Sequence, residues 1–575
     1  MPNTNSVAST QDGISIRAYP GDGMVLLAFD LDEDLTQHLA GFALRCTPPN
    51  DEQFPIRNRL NFETKVTSET TPEQRVWTPS DQAPLQKFRW IHFPQRVVAG
   101  PYTYEVSAMY FGDGDLREGP SASVSVELWP PKNEFERFKI GFTRGYLSSQ
   151  AYAERFNNAE FEPSNPTIDF DTAPYEKQYK WLGFDARQLV FDFLKECVDD
   201  EQITVDVFAY DLDEPDFIRA LQRLGGRLRV FLDDADLHTK PGALEPIAKG
   251  LLERSAGKEN VKTGHFRRFA HNKVIIQKRN GTPTKVLTGS ANFSVRGLYA
   301  QANNVLVFDD TATATLYEEA FNKAFDDMGG FSESPIAEQW FDISGEGLPP
   351  SSVSFSPHRP EPHTSDSDGA DRVISLDRVS QAIEGAKSSV MYAVMQLGGS
   401  GKVLEDLQSL GSRNEIFSYG ITQNAYKQES DNDGITVYRP EDTHGIFTSF
   451  AYLDKHIPPP FQEEWRGGQG QVIHHKFVVV DFNDAEPVVF TGSSNLALRG
   501  EEENGDNLLA IYDCSVATAY AVEAIRLVDH YHFRAVMKDA TSADPLMLKT
   551  DEAQWWKPYY DQNNAKYYER LLLSR

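Results

Sequence analysis

Two histidine–lysine pairs, His271 with Lys273 and His474 with Lys476, interrupt otherwise aliphatic strand patterns, HNKVII and HHKFVVV. A strand core asks for apolar side chains, so polar groups two apart on one strand face point to chemistry rather than packing. Downstream of each pair come another apolar run, a glycine turn, and a serine and an asparagine able to reach back. These are VLTGSANFS, with Ser290 and Asn292, and VFTGSSNLA, with Ser493 and Asn495. Imidazoles, ammonium groups and carboxamides held together suit nucleophilic attack, proton transfer and charge stabilisation. At a fixed offset of 203 residues, positions 271–310 and 474–513 share thirteen identities without a gap. Chance would give about two or three. The two sets therefore arose by duplication.

These residues resemble the phospholipase D superfamily, whose signature H-x-K-x4-D followed by G-S-x-N usually occurs twice per active site. The second copy fits throughout, with His474, Lys476 and Asp481, then Gly492, Ser493 and Asn495; the first has Lys278 where the aspartate belongs. The carboxylate that orients the family's histidine is matched by Asp506 in the second half, whereas Asn303 occupies that place in the first. The resemblance implies that one histidine attacks phosphorus to form a phosphohistidine while the other protonates the leaving alkoxide. Lys273, Lys476, Asn292 and Asn495 would clamp the phosphoryl oxygens, so no metal or cofactor is called for. Ser290, Ser493, Asp481, Asp506 and Asn303 would support them. A carboxylate partner raises a histidine's pKa, and its absence leaves the ring neutral near pH 7. His271 is therefore expected to be the nucleophile and His474, paired with Asp506, the acid.

Composition narrows the partners. The chain has 575 residues, with 40% hydrophobic and 25% charged, which excludes collagenous, coiled-coil and mostly disordered chains. Its formal charge of −29 gives no global footprint for nucleic acid. Any anionic substrate must be held by a local pocket. Cys46, Cys197 and Cys514 are too few and too scattered for a disulfide framework. The polar start MPNTNSVASTQDG lacks the apolar run of a secretory signal, and no apolar stretch is long enough to span a bilayer, so the cytoplasm is the expected location.

The elements that must carry the motifs are legible as texture. Residues 13–130 read as short alternating strands between turns, which favours a β-sandwich at 1–132. AGPYTYEVSAMYF and GPSASVSVEL resemble the end of a fibronectin type III or similar immunoglobulin-like module, which implies a protein or glycan partner. WPPKN at 129–133 ends that texture. From there helices and strands alternate: a helix at 179–197, a strand at 203–209, a helix at 215–224 and a strand at 227–234. A polar, proline-rich stretch at 345–371 contains VSFSP, a candidate opening strand, and the alternation then repeats. The fold expected is multidomain: the sandwich, then two α/β phospholipase D-like units, 133–348 and 349–575, related by a pseudo-twofold.

Three function classes stay open. The first is a metal-independent phosphodiesterase, hydrolysing or transferring a phosphodiester, with phospholipid favoured. An aromatic loop from Asn424 to Gly470, carrying Tyr426, Tyr438, Phe447, Phe450, Tyr452, Phe461 and Trp465, could wall acyl chains or stack on bases. The second is a nuclease of the same superfamily, using a local cationic groove of Arg267, Arg268, Lys278, Arg279 and Lys285 against the acidic turn Glu501–Glu503. The third is a catalytically weakened binding or scaffold protein, for which the incomplete first motif would account. The Trp- and Tyr-rich segment 551–575 is expected to pack as a terminal helix against the α/β units.

Overall fold

The computed structural model describes residues 6–71, 74–94, 97–128, 135–145, 152, 155–359, 373–395, 401–413, 415–424, 434–439, 446–449 and 472–575. The N-terminal strands Ile14–Gly21, Met24–Leu31, Leu39–Thr47, Pro101–Phe111 and Leu116–Glu127 form where the alternation places them. With Val7–Gln11, Phe54–Pro55 and Arg89–His92 they make two four-stranded sheets whose inward residues, such as Ile16, Leu27, Phe29, Phe42, Leu44 and Tyr104, share one hydrophobic core. The run MVLLAFDL is buried on both faces. Its Val25, Leu27 and Phe29 enter the sandwich core, while Met24, Leu26 and Ala28 enter the main α/β core.

Two larger mixed sheets follow. The first has seven strands in the spatial order Phe138–Phe142, Asn304–Phe308, Thr282–Gly289, Val274–Arg279, Ile203–Ala209, Leu228–Asp233, Val261–Gly264. In the second, Ser351–Phe355, Asn507–Ile511, Val488–Gly492, Lys476–Val480, Ser389–Val394 and Phe417–Asn424 run in the corresponding order. Two further strands, Gly434–Tyr438 and Ile446–Ser449, extend its edge, and Phe341–Ile343 adds to the other. The segment VSFSP does contribute to a strand of this sheet, Ser351 pairing with Ile511 and Phe355 with Asn507, but Phe341–Ile343 precedes it and is the opening strand. Asp310 and Asp513, identical at the 203-residue offset, cap the helices Thr311–Asp327 and Cys514–Asp539, their carboxylates accepting from backbone N–H groups of the first turn. That identity is structural.

The C-terminal segment departs from expectation. Trp555, Trp556, Tyr559 and Tyr560 pack into the sandwich core rather than on the α/β units alone. Trp555 donates its indole N–H to the Leu39 carbonyl at 2.9 Å, and the Tyr560 hydroxyl donates to the Leu31 carbonyl at 2.6 Å. A buried ion cluster adds to the clamp: Arg89 of the sandwich bonds Glu569 and Asp529, with an Nη2 contact to Asp529 at 2.9 Å and to the Tyr419 hydroxyl at 3.1 Å. Replacing Arg89 by alanine strands the buried Glu569, while Asp529, 26% exposed, keeps Lys87 at 3.9 Å; the substitution should cost about 3–5 kcal/mol. Urea unfolding of Arg89→Ala against wild type measures this; a change within about 1 kcal/mol would mean that water already screens the cluster.

Candidate active site

His271 and Lys273 lie just ahead of strand Val274–Arg279, and His474 just ahead of Lys476–Val480. The imidazoles therefore stand at the mouths of the strands, not inside the ladders as the sequence pattern suggests. Each lead-in is pinned by the other half. Gly505 N–H donates to the Phe269 carbonyl at 2.8 Å, and its counterpart at the 203-residue offset, Ala302 N–H, donates to the Val472 carbonyl at 2.9 Å. The two G-S-x-N turns are equally matched, with Ser290 N–H to the Asn304 carbonyl and Ser493 N–H to the Asn507 carbonyl, both 3.1 Å. Gly289 and Gly492 have φ of 141° and 146°, and a Cβ on either would lie 2.4 Å from the carbonyl oxygen of Asn304 or Asn507. Only glycine permits that approach.

The histidine partners cross between the halves. His271 Nδ1 lies 2.7 Å from Asp506 Oδ1, and Ser493 Oγ donates to the same oxygen at 2.7 Å. His474 Nδ1 lies 2.9 Å from Asn303 Oδ1, which also accepts from Ser290 Oγ at 2.9 Å. Asn303 Nδ2 donates to the Gly297 carbonyl at 2.9 Å, which turns its oxygen toward the ring. The expected pairing of His474 with Asp506 is thus corrected: the carboxylate of the second half serves the histidine of the first. In both rings the Nδ1–H is committed, leaving Nε2 for substrate.

Burial sets the electrostatics. All four cationic-motif side chains are buried, with His271, Lys273, His474 and Lys476 at most 4% exposed. Burial, reinforced by Lys273, holds His271 below the ordinary histidine range; burial, with Lys476 and Lys273, holds His474 far below it. Burial lowers Lys273 to about 8 and, with Lys273 nearby, takes Lys476 well below a normal lysine. Asp506 stays below the carboxylate range because His271 and Lys273 outweigh its burial. Each ammonium reaches back to its own motif: Lys273 Nζ donates to the His271 carbonyl, and Lys476 Nζ to that of His474 at 2.6 Å. An anion bound among these groups would offset the burial and mutual repulsion that lower them.

Asn292 is buried, with its Oδ1 unpaired, and Asn495 Oδ1 is likewise unpaired. Asp481 is elsewhere. It sits at the far end of its strand and accepts from the backbone N–H groups of Lys387, Ser388 and Ser389 at 2.8–3.0 Å. It fixes the adjacent strand rather than touching the cluster. Lys278, which replaces it in the first half, pairs instead with Asp206 at 2.5 Å and Glu318 at 3.2 Å. A loss at that position therefore leaves the site itself intact.

Four of the five cations expected to line a groove have carboxylate partners, while Arg268 lies 4.9 Å from the Phe269 ring centroid. Lys278 is paired, Arg279 meets Asp200 at 2.6 Å, Lys285 meets Glu196 at 2.7 Å, and Arg267 is 3.8 Å from Glu503. Glu501 is not in a solvated turn but buried, accepting from Ser375 and Ser494. Of the aromatic loop, Tyr438 packs beside Tyr392 with ring centroids 6.0 Å apart, and Phe447 pairs with Thr436 in the sheet extension. Tyr426, Phe450, Tyr452, Phe461 and Trp465 lie outside the described residues.

Sequence reasoning missed the turn Tyr210-Asp211 after strand Ile203–Ala209. The Tyr210 ring stands edge-on to His271 at 4.6 Å, with Lys273 Nζ 4.7 Å from its centroid. Asp211 accepts from Asn292 Nδ2. The signal was available, since YDLDEP puts a tyrosine and acids at the carboxyl end of a sheet strand, where ligands bind in α/β folds. Among the described residues, Asp211, His238 and Glu245 bring donor atoms within 4.8 Å of one another, the spacing of a metal cluster. Both His238 nitrogens, however, are engaged by carboxylates, at 2.8 Å to Asp211 and 2.7 Å to Asp233. No imidazole lone pair is left for an ion there.

Residues 192–325 match a family model described as "Cardiolipin synthase, PLD-like domain". A protein named phospholipase D from Rickettsia bellii is 29% identical over 128 residues, covering 22% of this chain and 58% of the relative. Its namesake from Rickettsia prowazekii is 26% identical over 195 residues, covering 32% of this chain and 90% of the relative. Among solved structures, a phospholipase D family member, Nuc from Salmonella typhimurium, is 23% identical with a TM-score of 0.19, covering 24% of this chain and 85% of that one. The family model and the two relatives make this part of the chain similar to proteins of the phospholipase D superfamily, and the chain spans 58% of the length of the Rickettsia bellii relative. Among the described residues no helix is long and apolar enough to cross a membrane.

Proposed function

We propose that this chain is a metal-independent phosphodiesterase of the phospholipase D type, whose two α/β units, related by a pseudo-twofold, share one active site and act on a phospholipid. The observation that carries this reading is the crossed support of the histidines, with His271 held by Asp506 and His474 by Asn303. The roles follow from the charge of each support. A carboxylate on Nδ1 stabilises the positive charge that an imidazole gains when its Nε2 bonds to phosphorus, so His271 is the nucleophile. A neutral amide on Nδ1 stabilises an imidazolium far less, so a proton on His474 is readily given up to the leaving alkoxide. The assignment proposed is the one expected from the sequence, but on the opposite premise. The monoanionic diester supplies the counter-charge that lets His474 carry this proton. Lys273, Lys476, Asn292 and Asn495 bind the phosphoryl oxygens, and water or an alcohol resolves the phosphohistidine.

Phospholipid is preferred over nucleic acid because the cations flanking the first motif are already paired with carboxylates and the net charge is −29. The test incubates the protein in EDTA with a chromogenic phosphodiester, phosphatidylcholine vesicles and plasmid DNA in parallel. Turnover of the diester and the vesicles, with intact plasmid, is the expected result. Nicked plasmid with untouched vesicles would select the nuclease, and inert substrates throughout would leave a binding protein. The sandwich, by this reading, recognises a protein or glycan.

The pH profile gives an independent check. Lys273 titrates near 8, so its charge is present below that pH and lost above it. The ratio kcat/KM should fall about tenfold per unit above pH 8. Lys273→Arg should move this alkaline limb upward by more than one unit; an unmoved limb assigns it to another group.

A further inference from the structure

Asp211, its side chain 30% exposed, belongs to a chain of alternating charge, buried at His238 and Asp233, that ends on the first-half clamp. Asp233 Oδ1 accepts from Ala270 N–H, immediately before His271, and its Oδ2 lies 2.7 Å from His238 Nδ1. His238 Nε2 lies 2.8 Å from Asp211 Oδ1, and Asp211 Oδ2 accepts from Asn292 Nδ2. His238 is 3% exposed and Asp233 2%. Burial opposes charge on His238, but the two carboxylates outweigh it and raise its pKa to about 10, so the ring is an imidazolium through the neutral range. That cation in turn holds Asp211 ionised against its own burial.

A carboxamide has a donor end and an acceptor end, and only the donor end can bind a phosphoryl oxygen. An ionised carboxylate accepts and cannot donate, so it tolerates only one of the two amide orientations. With Asn292 reversed, its Oδ1 would face Asp211 Oδ2, acceptor against acceptor. We propose that Asp211 is a positioning residue, which fixes the Asn292 carboxamide so that its remaining N–H, not its carbonyl, faces the phosphoryl oxygen. This rests on the functional reading above, in which Asn292 clamps phosphate. Phe208 pairs opposite Val274 and Ala393 opposite Phe477, so the sequence position that matches Asp211 in the second half is Gln396, an uncharged amide outside the described residues.

The test is a double-mutant cycle between Asp211→Leu and Asn292→Ala in the full chain, read by tungstate binding in EDTA and by kcat and KM on the chromogenic diester. Asp211→Leu should weaken tungstate binding and lower kcat/KM by about ten- to a hundredfold, whereas in the Asn292→Ala background it should change either by less than about twofold. Asp211→Asn, which keeps an acceptor but no preference between orientations, should lose several-fold with Asn292 present and nothing without it, and it serves if the leucine variant does not fold. Equal losses in both backgrounds, or no loss in the first, overturn the proposal, as does wild-type protein that binds no tungstate. Diester turnover judges the functional reading separately. A chain that binds tungstate with this coupling but cleaves no diester keeps the proposal and loses that reading; one that cleaves without the coupling does the reverse.

Discussion

His271→Ala abolishes turnover of the chromogenic diester, by at least about four orders of magnitude, because no phosphorus–nitrogen bond can form without its Nε2. His474→Ala behaves differently. With a good leaving group the first step needs no acid, so the substituted enzyme releases one equivalent of leaving group and then stalls as a phosphohistidine, water having no base to activate it. Intact mass measurement of the stalled protein should show the added phosphoryl group, and peptide mapping should place it on His271. A stalled intermediate that forms instead in His271→Ala, with the label on His474, would exchange the two roles, and full activity in His474→Ala would remove that ring from the mechanism. Both rings lie in one electrostatic neighbourhood, since His271 and Lys273 each depress His474.

Asp506→Asn lowers kcat by about a hundred- to ten-thousandfold with KM little changed, and does so on the histidine of the other half. The substitution keeps the shape and a hydrogen-bond acceptor for His271 Nδ1 and Ser493 Oγ, so the fold should persist. What it removes is the negative charge that offsets the imidazolium-like phosphohistidine. Asn303→Asp tests the complement: a carboxylate beside His474 would hold that ring's proton more tightly and slow its delivery to a poor leaving group. Rapid-quench kinetics with two leaving groups distinguish them: Asp506→Asn slows formation of the intermediate with good and poor leaving groups alike, whereas Asn303→Asp slows it only with a poor one that needs the proton. Equal dependence on the leaving group in both variants would mean that the supports act only as spacers.

Much of this architecture can be read from residue type and spacing, for definite reasons. The sandwich strands alternate because one face meets a core; MVLLAFDL does not alternate because two cores claim it. The motif residues stand out because a histidine and a lysine have no packing reason to precede HNKVII or HHKFVVV. Partner choice is another matter. Asp506 and Asn303 occupy matching positions, and nothing in a linear offset says that each faces the other half's ring; only the crossed backbone pairing of Phe269 with Gly505 and Val472 with Ala302 decides it. Asp481 looked chemical because it completes a signature, yet its backbone partners lie a strand's length from the imidazoles. Asp211 escaped because the carboxylate is single, and what marks it, the imidazolium of His238 behind it, comes from a different turn.

The crossed supports have an evolutionary corollary. A self-complementary dimer encodes one residue at each position and must display it on both sides of its axis. Joining the two copies into one polypeptide lifts that constraint, so an acid can be kept on one side and its isosteric amide adopted on the other. Asp506 and Asn303 differ in that single respect. Gene fusion here would have made room for a division of labour that no symmetric ancestor could encode.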